Sequence, residues 1–184
     1  MPDSLCRVLP EGYELRELEP ADARPLAEAY RRNREHLEPW EPVREEPFFT
    51  ERGQQAVIGA SLTAVSQGLL VAWVLTQGAD IVGRMNLNNV VRGVLQSGSL
   101  GYWVDAGHLG RGLASGAVEL ACTEAQRRGL HRVEAGTLLH NRASQRVLER
   151  CGFEHYGTAP SYLFIGGAWQ DHRLYQRILH DRPL

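Results

Sequence analysis

One glycine-rich run, Gly107-His108-Leu109-Gly110-Arg111-Gly112-Leu113-Ala114, joins a strand-like segment to a helical one. The first N–H groups of a helix lack internal partners, and the helix dipole favours negative charge there. Glycines let an anion approach that backbone closely, which suits a pyrophosphate, and Arg111 adds positive charge. The bland reading of the same residues is a tight turn with close helix packing. Two nucleotide-binding readings fail. No Gly-Lys-Ser/Thr follows the glycines. Glu134 stands near the spacing of a dinucleotide fold's acid, but inside its strand, with too little chain after it for a second nucleotide-binding half.

A second constellation is Asn141-Arg142-Ala143-Ser144, closing at Cys151-Gly152-Phe153. Asn141 is a natural helix N-cap, and that is also its purely structural role. Ser144 falls one turn inside, on the face of Leu148, and its position alone does not make it catalytic. A third is the stretch from Asn33 to Arg52, where Trp40 and glutamates such as Glu38 and Glu41 lie among prolines and arginines. It reads either as a solvated charged loop or as an acidic rim attracting a basic protein tail or a cationic amine. Loops on a rigid scaffold commonly carry specificity, which favours the rim. The histidines show no metal-site spacing, so no metal is expected.

Several elements must position these groups. Tyr13 and Leu15 alternate in a first strand from Gly12 to Leu18. Asp22 can cap a helix to about Asn33. The segment from Asn33 to Phe49 is too rich in proline for a regular element. Thr50 can cap a helix to Gln67, with Ile58, Leu62 and Val65 on one face and Gly68 at its C′ position. Strands follow at Leu69–Leu75, Ile81–Val91 and Leu100–Val104. The helix after the glycine run ends at Gly129, His131–Leu138 is a strand, and the Asn141 helix stops at Gly152. Two further strands flank the turn Gly166-Gly167. This order predicts one α/β domain over residues 1–184, a mixed sheet with helices on both faces.

Composition sets outer bounds. With 184 residues, 43% hydrophobic and 23% charged, the chain is globular and long enough to bury a core without a staple. Its net charge of −2 gives no basic excess for direct nucleic-acid binding. No apolar run approaches the ~20 residues of a membrane helix, and Met1–Leu9 lacks a signal peptide's apolar stretch. Cys6, Cys122 and Cys151 lie far apart and read as reduced thiols, so a cytoplasmic protein is expected.

Taken together, Gly110-Arg111-Gly112-Leu113-Ala114, a helix, a strand, Asn141-x-x-Ser144 and Gly152-Phe153 resemble the GNAT family of acyl-CoA N-acyltransferases. Within that family the chain is similar to the ribosomal-protein-alanine N-acetyltransferases. The strings Leu37-Glu38-Pro39-Trp40-Glu41-Pro42 and Asn89-Val90-Val91-Arg92-Gly93, and the residues from Tyr162 to His172, carry that narrower likeness. The resemblance implies a mostly antiparallel sheet with one splayed parallel pair, and acetyl-CoA as co-substrate. It implies pyrophosphate on the amides of Leu109, Gly110, Arg111, Gly112, Leu113, Ala114 and Ser115. Pantetheine would run beside Tyr102, Trp103 and Val104, Asn141 would contact the cofactor, and Ser144 would approach the sulfur. Three positions depart from the pattern. Leu109 replaces a common Gln or Arg, Gly116 a common Glu, and Leu148 the tyrosine that often protonates the leaving thiolate.

The implied chemistry is direct attack of an amine on a thioester. An α-amine, with pKa near ~7.8, is partly neutral at cell pH, whereas a lysine amine near ~10.4 needs a stronger base. A backbone N–H near Val104 can hold the oxyanion. Ser144 is then the expected proton donor to the thiolate. Glu38, Glu41, Asp171 and His172 are candidate bases, the last two also readable as a structural pair. Glu38, Trp40 and Glu41 are expected at the acceptor. The expected acceptor is a protein N-terminus, plausibly ribosomal. A small amine or antibiotic is the alternative, a non-catalytic acyl-CoA-binding module is a third reading, and homodimerisation stays open.

Overall fold

The computed structural model describes residues 6–183. Met1–Leu5, most of the segment read for a signal, lie outside the described residues, as does the Cys6 side chain. An eight-stranded sheet runs in the order β1-β2-β3-β4-β5-β6-β8-β7. The strands are β1 (Cys6–Val8), β2 (Tyr13–Glu17), β3 (Val71–Gln77), β4 (Asp80–Val91), β5 (Ser97–Val104), β6 (Arg132–Leu138), β7 (Glu154–Ile165) and β8 (Ala168–Ile178). Five helices accompany them: α1 (Ala23–Arg32), α2 (Arg34–Leu37), α3 (Glu51–Ser66), α4 (Leu113–Arg127) and α5 (Arg142–Arg150). Among the described residues no helix is long and apolar enough to cross a membrane.

Local chemistry sets most boundaries. Thr50 Oγ1 accepts from Gly53 N–H and caps α3, and Asn141 Oδ1 accepts from Ser144 N–H and caps α5. Gly68, Gly129 and Gly152 take φ of 72°, 77° and 73°, ending α3, α4 and α5 where a side chain would be strained. Two expectations fail for physical reasons. Asp22 precedes α1 but does not cap it, because its carboxylate is taken by Arg16 at 2.6 and 2.9 Å and by Glu19 N–H at 2.8 Å. The proline-rich stretch is also not irregular throughout: it forms α2 and a tight turn at Glu46–Phe49. Its aromatics tie it down, with Leu37 and Phe49 buried and the Arg34 and Arg44 guanidinia 4.4 and 4.5 Å from the Phe49 and Phe48 ring centres.

The sheet carries a core on each face. Trp73, Met85 and Leu87 pack with Leu113, Val118 and Leu148 of α4 and α5. Val74, Ile81 and Trp103 pack with Leu26 and Ile58 of α1 and α3. Trp73 and Val74 are adjacent in sequence, so strand alternation alone divides them between the layers.

Among the described residues only β5 and β6 pair in parallel, from Ser97↔Arg132 to Leu100↔Ala135. Beyond that point β5 runs on to Val104, held by β4 through Gly83↔Val104, while β6 runs on to Leu138, held by β8 through Leu138↔His172. The two strands therefore part in mid-sheet, as the expected fold class requires, and leave a slot between its faces.

Candidate active site

A cavity of about 390 Å³ opens at this slot. Its walls come from both layers. Tyr102, Asn141 and Ser144 line it from the α4/α5 face, and Arg84, Trp40 and Glu41 from the α1/α3 side. The sheet register explains the division. Tyr102 pairs with Met85, whose neighbour across β3 is Trp73, whereas Trp103 pairs with Arg84, whose neighbour is Val74.

On the α4/α5 face, α4 starts at Gly112, which has φ 75° and no side chain capping the helix. Gly110 also has positive φ, 76°. The first-turn amides of α4 are thus left unclaimed by any cap, a cradle for an anion. Arg111, expected to add charge there, pairs at 3.2 Å with Glu11 on the surface. Leu109 is exposed, Leu113 is buried in the core, and Ala114 and Ser115 are half-buried. Asp105 N–H donates to Val82 O at 2.8 Å on the β4 side. Alternation along the strand then turns the Val104 peptide toward the open slot.

Ser144 does not stand alone. Its Oγ lies 2.9 Å from the Tyr102 hydroxyl. Burial holds the Tyr102 phenol well above its ordinary pKa, so it keeps its proton. Ser144, the expected proton donor, thus stands in the slot with a second hydroxyl beside it. Tyr102 was expected only alongside the pantetheine, and the coupling spans 42 positions, a distance at which sequence spacing carries no signal. Trp103 lines the slot too, but its indole packs in the α1/α3 core and donates to Tyr30 Oη at 3.1 Å, which leaves its backbone to meet a ligand on the α4/α5 face.

On the opposite side, the Trp40 ring lies 5.3 Å from that of His140, next to Asn141. Glu41 is half-buried, and burial raises its carboxyl pKa, with the charges of Arg44 and Arg84 partly offsetting this. Glu38 is exposed and does not line the slot; it shares with Glu41, Arg34 and Phe49 a smaller neighbouring pocket of about 120 Å³. Asp171 and His172 are not a pair. They are successive residues of β8, and alternation sends them apart: Asp171 accepts from Ser161 N–H at 2.8 Å, and buried His172 meets Gln170 O at 3.0 Å. His172 lines the slot. Cys122 and Cys151 are buried free thiols. Among the described residues no cluster of His, Cys, Asp or Glu could hold a metal.

An uncapped glycine-started helix beside a splayed parallel pair is the arrangement that the resemblance to acyl-CoA N-acyltransferases implies. Residues 13–154 match the model of the acetyltransferase (GNAT) domain, and the chain belongs to that family. It is 39% identical over 156 residues to the "[Ribosomal protein uS5]-alanine N-acetyltransferase" of Escherichia coli (strain K12), covering 83% of this chain and 80% of that protein. The ribosomal-protein-S5-alanine acetyltransferase of Vibrio fischeri superposes with a TM-score of 0.92 at 32% identity, over 97% of this chain and all of that one. Mycobacterium smegmatis RimJ in complex with CoA-disulfide gives 0.89 at 28% identity, over 95% and 86%.

Proposed function

We propose that this chain transfers the acetyl group of acetyl-CoA to the α-amine of a protein N-terminus, with an alanine-started ribosomal protein as acceptor. The observation that carries this reading is a slot through the sheet with hydroxyls on one face and a half-buried carboxylate on the other. The names of its relatives, uS5-alanine N-acetyltransferase foremost, supply the acceptor. Neither a small-amine acceptor nor a non-catalytic role has an observation in its favour. Residues 1–184 would act as one domain, in the cytoplasm where ribosomal proteins are made.

Acetyl-CoA would lie on the α4/α5 face, its pyrophosphate on the amides from Gly110 to Ser115 and its pantetheine beside Asn141 and the free edge of β5. The thioester carbonyl then meets the Val104 N–H, which holds the oxyanion in place. The acceptor amine enters between Trp40 and Glu41. Its nitrogen forms a bond to the acetyl carbon, Glu41 takes its proton directly or through water, and the C–S bond breaks. Ser144, hydrogen-bonded to Tyr102, supplies a proton to the departing sulfur. A thiol pKa near ~8.5 makes that last step undemanding.

The test is to incubate ribosomal proteins from cells lacking the gene with labelled acetyl-CoA and the enzyme, and to locate the label by mass spectrometry. Label on N-terminal alanine is expected. Label confined to lysines or small amines would overturn the reading. The enzyme adds no lysine background of its own, because all 20 of its Lys+Arg residues are arginine.

A further inference from the structure

Arg84 is 8% exposed, yet it has few partners. Its Nη2 donates to Ser61 Oγ at 3.0 Å, and the Tyr30 hydroxyl lies against it. Its Nε has no hydrogen-bond partner, and among the described residues no carboxylate forms an ion pair with it. A guanidinium has five donors and cannot shed its charge. Burying one short of acceptors is costly, so the guanidinium calls for a further acceptor, from water or from a group that enters the slot. Arg84 lines the slot on the same side as Glu41. The two do not close on each other as an ion pair, although the charge of Arg84 lowers the Glu41 carboxyl pKa; the ion pair Glu41 makes is with Arg44, at 3.8 Å.

We propose that Arg84 is the specificity-determining residue that reads the first carbonyl oxygen of the acceptor, while Glu41 receives its amine. An N-terminal residue carries an amine nitrogen and a carbonyl oxygen three bonds apart, joined through one α-carbon. A cation and a carboxylate facing the same space, held short of contact, match that pair of groups. A lysine side chain or a polyamine offers the amine without the carbonyl. It would leave the guanidinium unsatisfied, and a site built to hydrogen-bond a group rejects analogues lacking it. Arg84 thus selects α-amines over side-chain amines on grounds separate from their pKa difference. This assignment rests on the α-amine reading above and narrows it.

A one-atom change in the acceptor tests it. The enzyme is given an alanine-started peptide and its thioxo analogue, in which sulfur, a poor hydrogen-bond acceptor, replaces the first carbonyl oxygen. Both kcat/KM values are expressed per neutral amine. The wild type is expected to favour the oxo peptide by about tenfold to a hundredfold, the range for one hydrogen bond to a charged group. Arg84→Met should bring the ratio close to one with acetyl-CoA affinity unchanged by calorimetry, and Arg84→Lys should restore part of it. A merely structural role would lower both rates together and leave the ratio intact. Should Arg84→Met fail to fold, the wild-type comparison decides alone: equal use of the two peptides removes the proposal. If the wild type acetylates no alanine-started peptide but does acetylate a polyamine, the α-amine reading itself is what fails.

Discussion

Two hydroxyls and one carboxylate set the chemistry expected at the level of single residues. Tyr102 Oη and Ser144 Oγ share one hydrogen bond of 2.9 Å, and the tyrosine's raised pKa keeps its proton available. If the proton reaches sulfur through Ser144 with Tyr102 behind it, the two act as a unit. Ser144→Ala should cost about a hundredfold in kcat, the low end for general acid help. Tyr102→Phe should cost about tenfold, and the double variant no more than Ser144→Ala alone. Multiplicative losses would show two independent donors. Glu41 makes a pH prediction. Burial raises its pKa, so the carboxyl is protonated and unable to accept a proton at acidic pH, and becomes a base as pH rises. Turnover should rise with pH through a midpoint above the ordinary glutamate value of about 4.3. Glu41→Gln should abolish that limb and lower turnover at all pH values. A pH profile unchanged by the substitution would place the base elsewhere.

At the scale of elements, two junctions aim the site. Gly112 starts α4 with φ 75°, and a Cβ built there meets nothing within 4 Å. A side chain at this position is therefore strained but not blocked, which separates two effects. Gly112→Ala should cost about 1 kcal/mol of stability and keep CoA affinity within a few-fold. Gly112→Asp, which tolerates left-handed backbone better, should keep the fold but weaken CoA at least tenfold by placing a carboxylate against the pyrophosphate. Equal affinities for the two variants would move the anion off this helix start. The second junction is where β5 ends. Buried Asp105 accepts from Asn33 Nδ2 and Arg32 Nε, each at 2.7 Å, and Asn33 Oδ1 accepts from Ala106 N–H at 2.9 Å. Burial alone would raise the Asp105 pKa, but these bonds and the Gly107 N–H reverse that and hold it low. A depressed folded-state value means stability fully present above the unfolded value of about 3.9 and lost as pH falls through the folded one. Acid unfolding monitored by circular dichroism should begin at higher pH in Asn33→Ala, which should also cost about 2–3 kcal/mol at neutral pH. An unshifted acid transition would remove the junction from the account.

These elements also show which parts of the molecule the chain could disclose in advance. Thr50, Asn141, Gly68, Gly129 and Gly152 act on backbone groups within four residues of themselves, so residue type nearly determines their role. The glycine run is legible for the same reason. Asp22 is equally local, yet it was misread, because Arg16 competes for its carboxylate and no propensity records that competition. Tyr102 with Ser144 and Asn33 with Asp105 meet only through the fold, and only the fold brings Glu41 and Arg84 to one slot. Alternation could have placed Arg84 and Trp103 on one face, but only if the β4–β5 register had been known.

The whole molecule constrains the order of events. In the proposed arrangement, cofactor and acceptor approach from opposite faces of one sheet and meet where β5 and β6 part. Neither blocks the other, and both must be present for nitrogen to reach the carbonyl carbon. A covalent relay would need a nucleophile in the slot. Cys122 and Cys151 are buried away from it, and desolvation pushes the Cys122 thiol up to about 12 and raises that of Cys151, which suppresses the thiolate a relay requires. Ser144 stands in the slot, but its hydroxyl partner is a phenol that holds its proton, not a base that could activate it. Initial velocities measured against both substrates should therefore give intersecting double-reciprocal lines. Acetyl-CoA supplied without an acceptor should release no stoichiometric burst of CoA. The intact mass should be equally quiet, since the chain has no lysine to be acetylated in the background. Parallel lines, together with one acetyl group on a serine or cysteine after acetyl-CoA alone, would establish a two-step mechanism and reduce the two-faced slot to a route for one substrate after the other.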